Sequence, residues 1–151
     1  MDLVSGGRTR TKLLVSIFPL LLAPCLSAAQ AKPVVLISGL GQHHHVISTK
    51  NPDPQRFFDQ GLTLVFAFNH EQAARSFRHA AELDPRSAMP FWGLALALGP
   101  CINLDVDPPH EKAAYEAVQK AMSLAQNATE TERTYIQALS RRCAAGKQAT
   151  Q

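Results

Sequence analysis

The sequence predicts an all-α fold, a short solenoid of about two and a half helix-turn-helix pairs behind a non-helical amino-terminal arm. Apolar residues from Pro54 onward recur at i, i+4 and i+7, the spacing of a helix that buries one face. The same spacing returns 34 residues later, between Phe57 and Phe91, and a period of this length is typical of stacked α-repeats.

Composition sets the size and the charge of this fold. The chain has 151 residues, 46% hydrophobic and 18% charged, which suits one domain with a modest core. Three of the 15 Lys and Arg and one of the 12 Asp and Glu precede residue 31, which leaves 12 against 11 in the body. A nearly neutral body excludes the basic field with which proteins hold nucleic acid.

Residues 1–31 have the order of a signal peptide. A basic start is followed by an apolar run over 13–23 and by Ala29-Gln30-Ala31, which matches the small-residue motif of a signal-peptide cleavage site. Cleavage is predicted after Ala31 or after Ala29. The run is too short to span a membrane, so we expect export to the periplasm or beyond the cell, without an integral span in the mature chain. Pro24 directly before Cys25 argues against a lipid anchor at that cysteine.

Export leaves Cys101 and Cys143 in the mature chain. Their spacing alone does not show that their Cα atoms come close enough for a disulfide. Two unpaired, partly buried thiols are favoured over one bridge.

An extended arm is predicted for residues 32–53. It contains Gly39-Leu40-Gly41, which lacks the third glycine and the following helix of a dinucleotide-binding turn. The consecutive histidines 43–45 and the Asn51-Pro52-Asp53-Pro54 run favour an irregular conformation.

The first helix pair is predicted over residues 54–87. The helical pattern breaks at Asn69, which suits an N-cap with Gln72 three residues later. The second helix is expected to end at Asp84-Pro85, because proline disfavours helix in the residue before it. Phe57 and Phe77 are expected to fill the space between the two helices.

The second pair is predicted over 88–127, with Ser87 as cap and an inserted loop at 99–109. Residues 129–145 predict the first helix of a third pair, opened by a capping box of Thr129 and Glu132. Residues 146–151 are expected to be a disordered tail.

These residues resemble the tetratricopeptide repeat (TPR), whose small and aromatic positions are matched by Gly61, Ala73, Phe77, Ala80 and Pro85. Over 39–49, 56–85 and 88–100 the string is similar to a set of secreted bacterial TPR proteins that are longer and have no assigned activity. The resemblance leaves three alternatives: part of a longer solenoid, a truncated copy, or a protomer that completes its stack by self-association.

The leading functional hypothesis is an exported scaffold that binds a protein or peptide, with no catalysis and no cofactor of its own. Candidate binding residues are the aromatic side chains Phe66, Phe68 and Trp92 together with Asn69. Arg56 is the single cation of the predicted inner helices 54–67 and 87–98, so capture of acidic peptide tails is not expected.

The alternative is a metal-binding or metalloenzyme-associated module. In an extended segment, His43 and His45 share one face and could chelate zinc, copper, nickel or iron. His70 is the candidate third ligand, and Cys101 or Asp105 the fourth. None of these residues has the spacing of a known zinc motif, and the competing interpretation is that the histidines pack against the helices.

Overall fold

The computed structural model describes residues 33–100 and 107–149, with side chains described as far as residue 144. Within these ranges the chain is all-helical and has no strand, which confirms the predicted α class. The helices are α1 (Pro52–Phe66), α2 (His70–Leu83), α3 (Met89–Leu98), α4 (Pro108–Leu124) and α5 (Glu130–Ala149), with a 3-10 turn at Ala125–Asn127. The predicted signal peptide, residues 1–31, lies outside the described residues.

Helices α1 and α2 form an antiparallel pair because only residues 67–69 connect them. Asn51 caps α1 by accepting a hydrogen bond from Asp53 N at 3.0 Å. The interior of the pair is filled by Phe58 and Phe77, both fully buried, with ring centroids 5.4 Å apart. Phe57, which was predicted to share this space, is also buried, and its ring packs edge-on against His79 of α2 at 4.5 Å.

The central helix is α3, which packs against each of the other four α-helices. Its sequence is apolar all round, as expected of a helix in which every residue is buried or half-buried. The cap predicted at Ser87 was wrong by one residue: Ala88 is the N-cap, and Trp92 N donates to the Ala88 carbonyl at 3.1 Å. Ser87 N instead donates to Asp84 O at 3.2 Å, which keeps Ser87 in the preceding turn.

Helix α4 begins at Pro108, before the expected end of the 99–109 loop. Asp107 caps it by accepting a hydrogen bond from His110 N at 2.9 Å, and this bond lowers the pKa of the Asp107 carboxyl. Most of the loop, residues 101–106, lies outside the described ranges, and so do the candidate ligands Cys101 and Asp105.

Helix α5 opens with the predicted capping box. Thr129 N donates to Glu132 Oε2 at 2.7 Å, and Glu132 N donates back to Thr129 Oγ1 at 3.2 Å, which confirms the reciprocal pair. The helix continues to Ala149, so residues 146–149, predicted as part of a tail, are helical. One glycine costs a helix about 1 kcal/mol relative to alanine, and Gly146 therefore does not have to end it.

Residues 33–51 have no helix or strand, and side chains of α1 hold them in place. Gln60 accepts from Ile37 N at 2.7 Å and donates to Val35 O at 3.1 Å, as a neighbouring strand would do. Asp59 accepts from His45 N at 3.0 Å, and Gln55 from Ile47 N at 2.9 Å. The polar face of α1 thus satisfies backbone groups of the arm.

The end of the arm is fixed to α5 by a buried carboxylate. Glu132, 4% exposed, accepts hydrogen bonds from Ser48 N at 2.7 Å and from Ser48 Oγ at 2.5 Å. Burial raises the pKa of this carboxyl, whereas the hydrogen bonds from Ser48 and Thr129 lower it. Together the hydrogen bonds outweigh the effect of burial, so the net shift of the pKa is downward. Glu132 therefore joins two parts of the chain that are 84 positions apart.

Candidate functional site

Two aromatic side chains are exposed where α1 ends and the connection to α2 begins. Phe66 is 65% exposed and Phe68 is 68% exposed, more than any other Phe, Tyr or Trp among the described residues. His43 packs edge-on against Phe66, with centroids 5.6 Å apart, and His70 packs against Phe68 at 6.3 Å. We call Phe66, Phe68, His43 and His70 the turn surface.

The backbone of Phe68 has a left-handed conformation with φ of 58°, the only non-glycine residue with positive φ in the described ranges. It stands at the C′ position of α1: Phe68 N donates to Val65 O at 3.0 Å, and Asn69 N to Leu64 O at 2.9 Å. This pair of bonds is the Schellman motif, whose C′ residue is usually glycine. A phenylalanine here costs about 1–2 kcal/mol of backbone strain.

Asn69 and Trp92, the other predicted binding residues, contact the protein itself. Asn69 caps α2, accepting from Gln72 N at 3.4 Å. The Trp92 indole is half-buried, lies 6.4 Å from the Phe58 ring and donates to Tyr135 O at 3.1 Å. The structure therefore brings Phe66 and Phe68 together at one surface and places Trp92 at the α3–α5 contact.

The histidines proposed as metal ligands do not converge. His43 and His70 pack on different phenylalanines of the turn surface, while His45 lies between Phe58 and Tyr135, with centroids 6.1 and 6.0 Å away. Over residues 33–100 and 107–149, no group of three His, Cys, Asp or Glu side chains could hold a metal ion. The metal hypothesis, which also named Cys101 and Asp105, stays a prediction.

Cys143 is a buried free thiol in the α4–α5 interface. Burial raises the pKa of this thiol, which keeps it in the protonated, weakly nucleophilic form at neutral pH. Its surroundings are those of a small core residue.

Comparisons with protein-family models, with curated proteins and with solved structures gave no match for this chain. The resemblance to TPR proteins therefore stays a prediction. In the part of the chain that is described, no helix has both the length and the apolar character needed to cross a membrane.

Sequence reasoning found Phe66 and Phe68 as aromatic residues near a helix end but did not find the strain at Phe68. The signal was available, because Phe68-Asn69 stands where a helix ends and where Gly or Asn is usual at C′. A large apolar side chain at such a position contradicts local preference, and such contradictions are concentrated at functional sites.

Proposed function

We propose that this chain is an exported, non-catalytic scaffold of the TPR type that binds a protein or peptide partner through the turn surface. The observation that carries the proposal is Phe68, whose ring is exposed and whose backbone is strained. A residue that lowers stability and contributes little to the core is retained more readily where its side chain has a separate role.

The chemistry of the turn surface favours a macromolecular partner. Aromatic rings are enriched in the centres of protein interfaces because they bury a large area with few rotatable bonds. Phe66 and Phe68 offer two such rings, and the imidazole rings of His43 and His70 pack against them. A projecting surface of this kind fits a groove on a partner better than it fits a small ligand.

The packing of the helices supports the repeat part of the proposal. Consecutive helices pack on one another, and α1, α3 and α5 are also in contact in that order. A TPR stack has this arrangement, in which first helices of successive pairs line one layer. Export rests on the predicted signal peptide, residues 1–31, and the non-helical arm on the irregular course of residues 33–51.

Phe68→Gly is expected to raise stability while it removes partner binding. Glycine adopts positive φ without steric cost, and the ring it removes has few core contacts, so the free energy of unfolding should rise by about 0.5–1 kcal/mol. Urea unfolding of the purified variants measures the first effect. Retention of proteins from an exported-protein extract on immobilised wild-type and variant chains, read by quantitative mass spectrometry, measures the second.

Two further variants separate backbone strain from the ring. Phe68→Ala removes the ring and keeps the strained Cβ, so it should lose the partner without any gain in stability. Val35→Ser changes another exposed apolar side chain, 63% exposed, and should retain the partner. A partner held equally by wild type and both Phe68 variants, or lost from all three variants alike, contradicts the proposal. If the retained partner is a second copy of this chain, sedimentation will show a dimer that Phe68→Gly dissociates.

A further inference from the structure

A polar cleft lies where the arm, the α2–α3 connection and the 3-10 turn meet. It has a volume of about 420 Å³, within the range of small-molecule sites, and its lining includes Lys50, Asp84, Arg86, Ser87 and Asn127. None of these residues belongs to the turn surface.

The walls of the cleft are held together by hydrogen bonds between distant segments. Thr49 Oγ1 donates to Asp84 Oδ2 at 2.7 Å, and Asn127 Nδ2 donates to Arg86 O at 3.4 Å. Behind the arm, Ser48 is bonded to the buried Glu132. The cleft is therefore preformed, and a ligand would not have to order its walls.

One lining side chain lacks a hydrogen-bond partner. Ser87 is 3% exposed, and its Oγ is buried with no donor or acceptor in the described residues. A buried hydroxyl without a partner is costly, and nearly all such groups in folded proteins are paired. Ser87 Oγ thus points to a ligand as its missing partner.

The charges around Ser87 indicate what that ligand is. Lys50 and Arg86 are exposed, and neither makes an ion pair with a carboxylate of the described chain. Asp84 also lines the cleft, where its Oδ2 accepts from Thr49 and its Oδ1 from Arg86 N at 3.2 Å, and its negative charge offsets one of the two cations. Two unpaired cations and a hydroxyl donor form a set that recognises oxygen anions.

The amino end of helix α3 adds to the positive charge around Ser87. Helix α3 begins at Met89, two residues after Ser87, and its N-cap Ala88 offers no side-chain hydrogen bond to the first turn. The amino end of an uncapped helix carries a partial positive charge that favours an anion nearby.

We propose that this cleft binds an oxyanion, the phosphate or carboxylate group of a small molecule, between Ser87, Lys50 and Arg86. Ser87 Oγ–H donates to an anion oxygen, and Lys50 and Arg86 together outweigh the negative charge of Asp84 and attract the anion. The assignment does not depend on the turn surface, and each can fail without the other.

Inorganic phosphate and acetate are the probes, added separately to the full mature chain and followed by amide NMR shifts at constant ionic strength. We expect saturable shifts of Arg86 and Ser87 amides with one anion or both, and the tighter anion distinguishes a phosphate from a carboxylate site. Arg86→Gln and Lys50→Gln should each weaken binding about tenfold, as expected for loss of a charge-assisted contact. Arg78→Gln removes an exposed cation of α2 that does not line the cleft, and it should leave the affinity unchanged.

Ser87→Ala gives a second readout. Without anion, the variant loses an unpaired hydroxyl, so its Tm should equal or exceed that of the wild type by up to about 5 °C. With saturating anion, the wild type should gain more in Tm than the variant does. Shifts that rise linearly without saturation, equal weakening by Arg78→Gln and Arg86→Gln, or an equal gain in Tm for both chains would each overturn the assignment.

Discussion

Gly93→Ala is expected to destabilise the fold by about 3 kcal/mol, the upper end of the cost of overpacking a core. An ideal Cβ at Gly93 would lie 2.4 Å from the Phe77 ring, far inside van der Waals contact. The ring has little room to move away, because it also lies against Gly61, so closely that a Cβ built there would be 2.7 Å from it. Phe77 is fully buried, so either the ring or helix α3 must shift.

A double-mutant cycle tests this packing by urea unfolding. Phe77→Leu removes the planar ring from the contact, and in that background Gly93→Ala should cost much less than in the wild type. The expected coupling between the two positions is about 1–3 kcal/mol, as for residues in direct contact. Additive effects within about 0.5 kcal/mol, or a Gly93→Ala chain as stable as the wild type, would contradict the close approach of α3 to Phe77.

The contact between Gly93 and Phe77 shows which part of the helix packing can be predicted from the sequence. Small residues at Gly61, Ala73 and Ala80 indicated that α1 and α2 approach closely, and Phe77 was identified as a residue that fills the space between them. Gly93 was not found, because the 34-residue period aligns Ala95, not Gly93, with Gly61. Periodicity gives the buried face of each helix, whereas the depth of contact between two faces depends on three-dimensional packing.

The contacts of the arm are harder to predict from the sequence. The capping box of Thr129 and Glu132 is local, and its spacing alone predicted it. The same Glu132 also binds Ser48, and no pattern relates positions 84 residues apart in a segment without secondary structure. The polar cleft could not be predicted for the same reason, since Lys50 and Ser87 come together only after the arm has docked.

Glu132→Gln should destabilise the chain by about 2–3 kcal/mol at pH 7, with an effect centred on the arm. The carboxylate accepts hydrogen bonds from Ser48 and from Thr129, and an amide replaces one accepting oxygen by a donor that faces other donors. Hydrogen exchange should show loss of protection at the Ser48 amide before the helices exchange. Glu130→Gln, an exposed neighbour in the first turn of α5, is the matched control and should have little effect.

Acid should remove the difference between wild type and Glu132→Gln. The pKa of Glu132 is lower in the folded chain than the 4.5 of a free side chain, so the folded state favours the carboxylate. That contribution is fully present above pH 4.5 and is lost as the pH falls through the folded pKa. The free energies of unfolding of the three chains can be measured in urea from pH 7 to pH 3. The values for the wild type and Glu132→Gln should converge as the pH falls, and those for Glu130→Gln should follow the wild type throughout. If the wild type and Glu132→Gln keep a constant separation over this range, the negative charge of Glu132 does not contribute to stability, which contradicts the prediction.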